Sequence, residues 1–250
     1  MSSAVSFLKQ ASGLLPANWP DGLRVKHLEE EVYSLRAAVV FALNQMLDLK
    51  DLNTGVHSTR LAEWAMRVAE QLGVGESELH DLEVASILHD IGKVGVPDAI
   101  LNKPGKLTPE ERELINKHSE YGWAILRPIP GFERVSLFVL HHHERIDGKG
   151  YPAGLKSEEI PLGARIVAVV DAFDAMVSDR AYRKGLPPEE ALRRLRVDSG
   201  TQFDSVIVEK FSRLAIQELP EIAQIHEPPA PAESPSRNPS GNASADYRGC

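Results

Sequence analysis

Apolar residues recur along this chain in steps of three and four rather than two, so the pattern predicts helices and no sheet. The first run is Val25, Leu28, Val32, Leu35, Val39, Ala42, Met46 and Leu49, alternating three- and four-residue steps as in an a/d seam. In its second half Val40, Phe41, Leu43 and Leu47 widen the apolar surface, which predicts that this half packs into a domain. The first half has two open readings: it pairs with a second chain, or it lies along its own domain. From Thr54 to Leu219 one helical pattern follows another, punctuated at Gly73, Pro97, Pro104, Pro128, Gly148, Pro161 and Gly185. There is no internal repeat. Residues 1–20 read as a loosely ordered arm, 21–50 as an amphipathic helix leading into the domain, and 51–220 as the domain itself. Residues 226–250 are rich in Pro, Ser and Ala and are expected to be disordered, because they bury too little apolar surface to offset ordering entropy.

The helical pattern has polar interruptions on its inward faces. His57 shares a stripe with Leu61, Trp64, Ala65, Val68 and Leu72; His89 ends a helix with Leu82 and Ala85 inside. His118 sits between Leu114 and Ile115 on one side and Gly122 and Ile125 on the other; His142 continues Val135, Phe138 and Val139; Asp171 continues Val167. Any one of these could be a buried residue satisfied by hydrogen bonds. Five helices each delivering such a group call for a shared neutralising partner, because an unpaired buried charge is very costly. A divalent metal centre is the simplest. Neighbouring helical residues point about 100° apart, so His89 and Asp90 cannot both face one ion from mid-helix. At a helix end they can straddle two, with Asp90 bridging, and His142 with His143 can act likewise. Asp174, one turn after Asp171, is either a residue orienting a ligand or an ordinary surface carboxylate. His141 falls off the inward stripe and is expected to be structural, and His27, His80 and His226 read as surface residues.

Composition narrows the classes. The 250 residues carry 28 basic and 36 acidic side chains, a formal net charge of −8, which argues against a general nucleic-acid binder. The one cysteine, Cys250, excludes a disulfide framework within the chain and a cysteine metal site. No apolar run approaches the roughly 18–20 residues of a membrane span, and the first residues lack the basic stretch of a signal peptide. A cytoplasmic protein is expected.

The strings LHDIGKVGVPDAIL, HHHERIDGKGYPAGL, IPLGARIVAVVDAFDAMVSDRAYR and GTQFD, in that order, resemble the HD-GYP phosphodiesterases, a branch of the HD metal-hydrolase superfamily. The likeness runs from about Leu47 to Leu214. It implies an all-α HD-domain bundle around a binuclear metal site and hydrolysis of cyclic di-GMP to pGpG or on to GMP. It carries ligand roles onto His57, His89, Asp90, His118, His142, His143 and Asp171, and phosphate or base contacts onto Lys93, Tyr151, Arg180 and Arg183. It implies iron or manganese, and a docking surface for GGDEF domains at the loop from Gly148 to Gly154. Some members hold a third metal through a glutamate that here is Asn53, a poor ligand for a hard cation, so two ions are expected. Ser119 and Ser205 stand where the family often has proline, away from the chemistry.

The mechanism expected from these residues is in-line attack on phosphorus by a metal-bridging hydroxide, with Asp90 and Lys93 central. Lys93 and the Arg180–Arg183 pair would neutralise phosphate charge. Tyr151 would stack on a guanine; the plainer alternative is a turn in which Gly148, Gly150 and Gly154 supply positive φ. Two other readings stay open: a phosphodiesterase for another cyclic dinucleotide such as cyclic GMP-AMP, and a signalling adaptor that binds cyclic dinucleotide or a GGDEF partner without turnover. Residues 1–50 are too few for a receiver domain, so regulation is expected through the first helix, which also offers a homodimer contact, or through a partner or metal oxidation.

Overall fold

The computed structural model describes residues 21–50, 54–179 and 184–218. Residues 1–20, Asn53, Arg180, Arg183, His226, Cys250 and the rest of the tail lie outside them, as do the expectations placed there. The helices are α1 (Asp21–Lys50), α2 (Thr54–Gln71), α3 (Glu76–Leu88), α4 (Asp98–Leu101), α5 (Pro109–Asn116), α6 (His118–Leu126), α7 (Glu133–His141), α8 (Leu162–Val177), α9 (Pro188–Val197) and α10 (Ser205–Glu218), with single 3-10 turns at Ile91–Gly95 and Ser157–Glu159. Among the described residues there is no strand, only two isolated bridges, Asp147 with Lys156 and Ser199 with Phe203. No described helix is long and apolar enough to cross a membrane.

Local sequence sets the helix ends. At the end of α2 the N–H of Gly73 bonds to the Glu70 carbonyl and that of Val74 to Ala69, at 3.0 and 3.1 Å. This double closure satisfies two orphan carbonyls and needs the left-handed residue that Gly73 supplies, with φ 74°. The short turn then lays α3 against α2, the most extensive helix pair in the fold. Thr-Pro-Glu-Glu opens α5 with a reciprocal cap: the Glu111 N–H donates to Thr108 Oγ1 and the Thr108 N–H donates to Glu111 Oε2. Asp204 caps α10 by accepting from Val206 N at 2.9 Å, and it also holds Arg165 of α8 at 2.6 Å.

The core is continuous. Helix α8 runs through its middle, burying Ala164, Ile166, Val167, Val169, Val170 and Phe173 against α2, α7, α9 and α10. Helix α2 contributes Leu61, Ala65 and Val68 on one stripe, as the spacing predicts. The second half of α1 packs into the domain through Val40 and Leu47, which are buried, and Leu43, which is partly covered, whereas Phe41 faces solvent; Arg36 is tied to Asp81 at 3.5 Å and to the Gly131 carbonyl at 3.0 Å. Two expectations need adjustment. The pattern around His118 is broken, with α5 ending at Asn116, Leu114 facing solvent and His118 opening α6. His80 is partly covered by α1, its ring 5.6 Å from that of Tyr33, so it is not an ordinary surface residue.

Helix α6 also meets the turn Ile91–Gly95 at very close range. A Cβ at Gly92 would stand 1.8 Å from the His118 carbonyl oxygen and 2.5 Å from Gly122 N. Gly92→Ala therefore has to push α6, and His118 with it, away from Asp90. Its expected cost is about 3 kcal/mol, the upper end for overpacking, read as a shift of the urea unfolding midpoint. An unchanged midpoint would mean the two segments are not held together.

Candidate metal centre

Helix ends aim the site. His89 directly follows α3, and Asp90 begins the 3-10 turn with φ −96° and ψ 4°, so the chain bends between them. His142 and His143 follow α7, His118 opens α6, His57 lies in the first turns of α2 and Asp171 lies in α8. All seven sequence-predicted ligands converge. His118, His142 and His143 form one group and His57, His89 and Asp90 another, with the donor atoms of each group within 4.8 Å of one another. Asp171 Oδ1 adjoins the second group, 3.4 Å from His57 Nε2 and 3.8 Å from His89 Nε2. Asp90 spans both: one oxygen lies 3.5 Å from His118 Nε2 and the other 3.4 Å from His89 Nε2.

Backbone carbonyls set the tautomers. Nδ1 of His89, His118 and His142 donates to the carbonyl three residues earlier, Ser86, Ile115 and Val139, at 2.9, 2.8 and 2.7 Å. That leaves Nε2 of each ring facing inward as a lone pair. Consequently Nε2 of His118 and Nε2 of His142 face each other at 3.4 Å with no proton between them. Nε2 of His89 is buried without a hydrogen bond. Facing lone pairs and an orphaned buried nitrogen are what a cation would relieve. The donor set of imidazoles and carboxylates suits a divalent ion, so these residues fit the group that the site implies.

His57 is held differently. Its Nδ1 pairs with Asp174 Oδ2, and Asp174 also takes Arg60 Nε and, at 3.2 Å, the Ser178 hydroxyl. Asp174 is thus a buried orienting carboxylate, and the surface alternative is excluded. His141 stays outside both groups, 3.6 Å from Glu144, as the pattern indicated.

The two groups differ electrostatically. Burial, followed by the charge of neighbouring imidazoles, holds His142 well below the usual histidine range and His143 down at about 3. Burial depresses His118 as well, against the pull of Asp90. In the other group burial also opposes charge, but Asp171 and Asp174 outweigh it and raise His57 to about 10. Asp90 and Asp171 overcome burial at His89 and raise it too. Asp90 itself is held far below the carboxylate range: burial is overcome by Lys93, whose Nζ is 2.6 Å away, and by His89 and His118.

The glycine-rich loop 147–154 forms one wall. The Tyr151 ring lies 4.9 Å from that of His143, and burial with nearby Asp90 and Asp171 keeps its phenol protonated. Gly148 and Gly154 have positive φ, at 77° and 68°, but Gly150 does not. Gly150 is required for proximity instead: a Cβ there would stand 2.4 Å from Arg145 N and 2.6 Å from the His143 carbonyl oxygen. Arg145 forks onto Asp147 at 3.0 and 2.8 Å and reaches Gln202 at 2.6 Å, so GTQFD braces the loop.

Sequence reasoning missed Glu144. Its buried carboxylate accepts the N–H groups of Ala153, Gly154 and Leu155 at 2.7, 3.1 and 3.1 Å. A charged residue directly after three histidines was the available signal. Glu144→Ala strands three loop donors, with an expected loss of about 3 kcal/mol or more in urea unfolding. A loss below about 0.5 kcal/mol, the size of an ordinary surface change, would exclude this role.

Residues 42–207 match the sequence model of the HD domain family. The chain is 44% identical over 178 residues to a cyclic di-GMP phosphodiesterase of Thermotoga maritima, covering 70% of this chain and 48% of that one. It is 40% identical over 185 residues to the cyclic di-GMP phosphodiesterase response regulator RpfG of Xanthomonas campestris, covering 73% and 49%. The chain thus spans about half the length of the curated relatives it matches. Among solved structures, a cyclic GMP-AMP specific phosphodiesterase of V. cholerae superposes with a TM-score of 0.57 at 25% identity, over 76% of this chain and 50% of that one. With more than half of its length matched, the chain belongs to the HD domain family.

Proposed function

We propose that this chain is a metal-dependent phosphodiesterase that hydrolyses cyclic di-GMP to pGpG, with GMP as the further product. The observation that carries the reading is Asp90, whose two oxygens face the two histidine groups while Lys93 closes on one of them. His118, His142 and His143 would hold one ion, His57, His89 and Asp171 the other, with Asp90 shared. Divalent ions bound there supply Lewis acidity that activates water and offsets phosphate charge. Two ions are proposed rather than three, because Asn53 replaces the glutamate of three-metal relatives, and iron or manganese is the proposed identity.

The protein's own groups do the rest. Water attacks phosphorus in line with the departing 3′ oxygen. The Lys93 ammonium neutralises a non-bridging phosphate oxygen. Tyr151, kept as a phenol, offers a stacking face and a donor. Arg180 and Arg183 are proposed as further phosphate contacts. The loop 147–154, held by Glu144 and Arg145, is the proposed docking surface for a GGDEF domain, and the proposed location is the cytoplasm.

The test is hydrolysis of cyclic di-GMP by protein purified without oxygen and loaded with Fe(II) or Mn(II), the products separated by chromatography. Linear pGpG or GMP is expected. The likeness to the V. cholerae structure supports a second reading, cyclic GMP-AMP as substrate, so both nucleotides are assayed in parallel. Two bound ions with neither nucleotide cleaved would defeat both readings and leave the adaptor.

A further inference from the structure

Helix α1 has two apolar faces, and the domain uses only one. Val40 and Leu47 are buried against the domain, with Arg36, Leu43 and Asn44 partly covered. The seam Val25, Leu28, Val32, Leu35, Val39, Ala42, Met46, Leu49 runs beside that buried face, and every one of its eight positions is exposed, Leu35 at 62% and Leu49 at 86%. A strict seven-residue apolar repeat left facing water over four heptads needs a cover. The upper part of that seam also borders an apolar groove lined by Val25, Leu28, Val32, Tyr33 and His80.

We infer that α1 pairs with α1 of a second copy of this chain as a parallel, in-register, two-stranded coiled coil. The residue types select the partner. Assigning Val25 to position a puts Val25, Val32, Val39 and Met46 at a and Leu28, Leu35, Ala42 and Leu49 at d. Valine at a with leucine at d favours two parallel strands. The flanking charges fit the same register. In a parallel pair position g faces position e of the following heptad on the other chain, so Arg24 meets Glu29 of the second copy and Glu31 meets Arg36 of the second copy. Arg36 is already shared with Asp81 in its own domain, so the Arg24–Glu29 pair is the cleaner reporter.

The arrangement has a consequence for the site. The seam side of α1 is free to pair because the side carrying Val40 and Leu47 rests on the domain, where α1 packs against the turn Ile91–Gly95 that bears Lys93. Pairing therefore fixes both metal centres of the dimer to one rod. The inference does not depend on which nucleotide is cleaved.

Sedimentation equilibrium of the full chain over a concentration series tests it. A dimer is expected, and Leu28→Glu with Leu35→Glu should raise its dissociation constant by more than about a thousandfold, since four buried leucines are lost per dimer. These positions are exposed in the monomer, so the domain's own unfolding should not change. Arg24→Glu should weaken the dimer about fivefold, and adding Glu29→Arg should restore it. In a Cys250→Ser background, Leu35→Cys should form an intermolecular disulfide on mild oxidation, because d faces d in a parallel register. A monomer at every concentration overturns the inference, as does a dimer indifferent to the paired glutamates. Dissociation by the glutamates without a cross-link in the Leu35→Cys variant, or no recovery by the charge swap, overturns the parallel register.

Discussion

Asp90→Ala is expected to lower the rate of cyclic di-GMP hydrolysis by about four orders of magnitude and to reduce bound metal from two ions to at most one. Asp90 reaches both histidine groups with its two oxygens, 3.5 Å from His118 and 3.4 Å from His89. Removing it unlinks the two ion sites and strips negative charge from a pocket that already holds the Lys93 ammonium. Lewis-acid stabilisation amounts to several kcal/mol, and each 1.36 kcal/mol is tenfold in rate, which gives that magnitude. Asp90→Asn keeps the shape and loses the charge, so it should fall nearly as far; recovery there would point to a merely steric role. Asp98→Ala serves as control, because that carboxylate is largely exposed and its pairing with Lys50 is a surface contact. Metal content by elemental analysis alongside turnover separates failure to bind from failure to react. Wild-type turnover with two ions retained would remove Asp90 from the mechanism.

The candidate ligands were legible because they break a rule. Positions owed to the core by helical spacing carried His57, His89, His142 and Asp171, and these do meet in one interior, which His118 joins from the start of its own helix. What periodicity could not give was the inner architecture of the site. The tautomers follow from carbonyls at Ser86, Ile115 and Val139, which are set by helix ends and have no sequence signature. The carboxylate of Asp174 was ambiguous because its partner, His57, lies 117 residues away. Glycine spacing around Tyr151 was read as a set of positive φ values, yet Gly150 is there for closeness to Arg145 and His143. Pattern reports which face is buried; it does not report what crosses from a distant element.

The same limit explains α1. Its two faces were both visible as apolar stripes, but which one the domain takes depends on Asp81 and Gly131, to which Arg36 binds. Only with the domain in place does the a/d stripe emerge as the uncovered one.

Metal uptake should release protons at one half of the site and not at the other. In the metal-free protein Asp171 and Asp174 outweigh burial and raise His57 to about 10, so this ring carries a proton at neutral pH. The sign follows. A histidine raised from 6.5 to about 10 on folding adds stability that is complete below about pH 6.5 and is lost as pH rises through 10. An ion binding His57 between those limits must displace that proton, so its apparent affinity should rise about tenfold per pH unit for each proton released. His143 sits at about 3, and His118 and His142 are depressed as well, so the three-histidine group is already neutral and its ion should displace none near neutral pH. Titration of Mn(II) by calorimetry in two buffers of different ionisation enthalpy reads the count for each step. On lowering the pH from neutrality, the ion at His57 and His89 should leave first. Binding should also stabilise the fold by about 4 kcal/mol per ion at a thousandfold excess over its dissociation constant, about 10 °C in Tm. Two steps with equal proton release would mean that the electrostatic division between the groups does not exist in solution, and no release at either would mean that His57 is not a ligand.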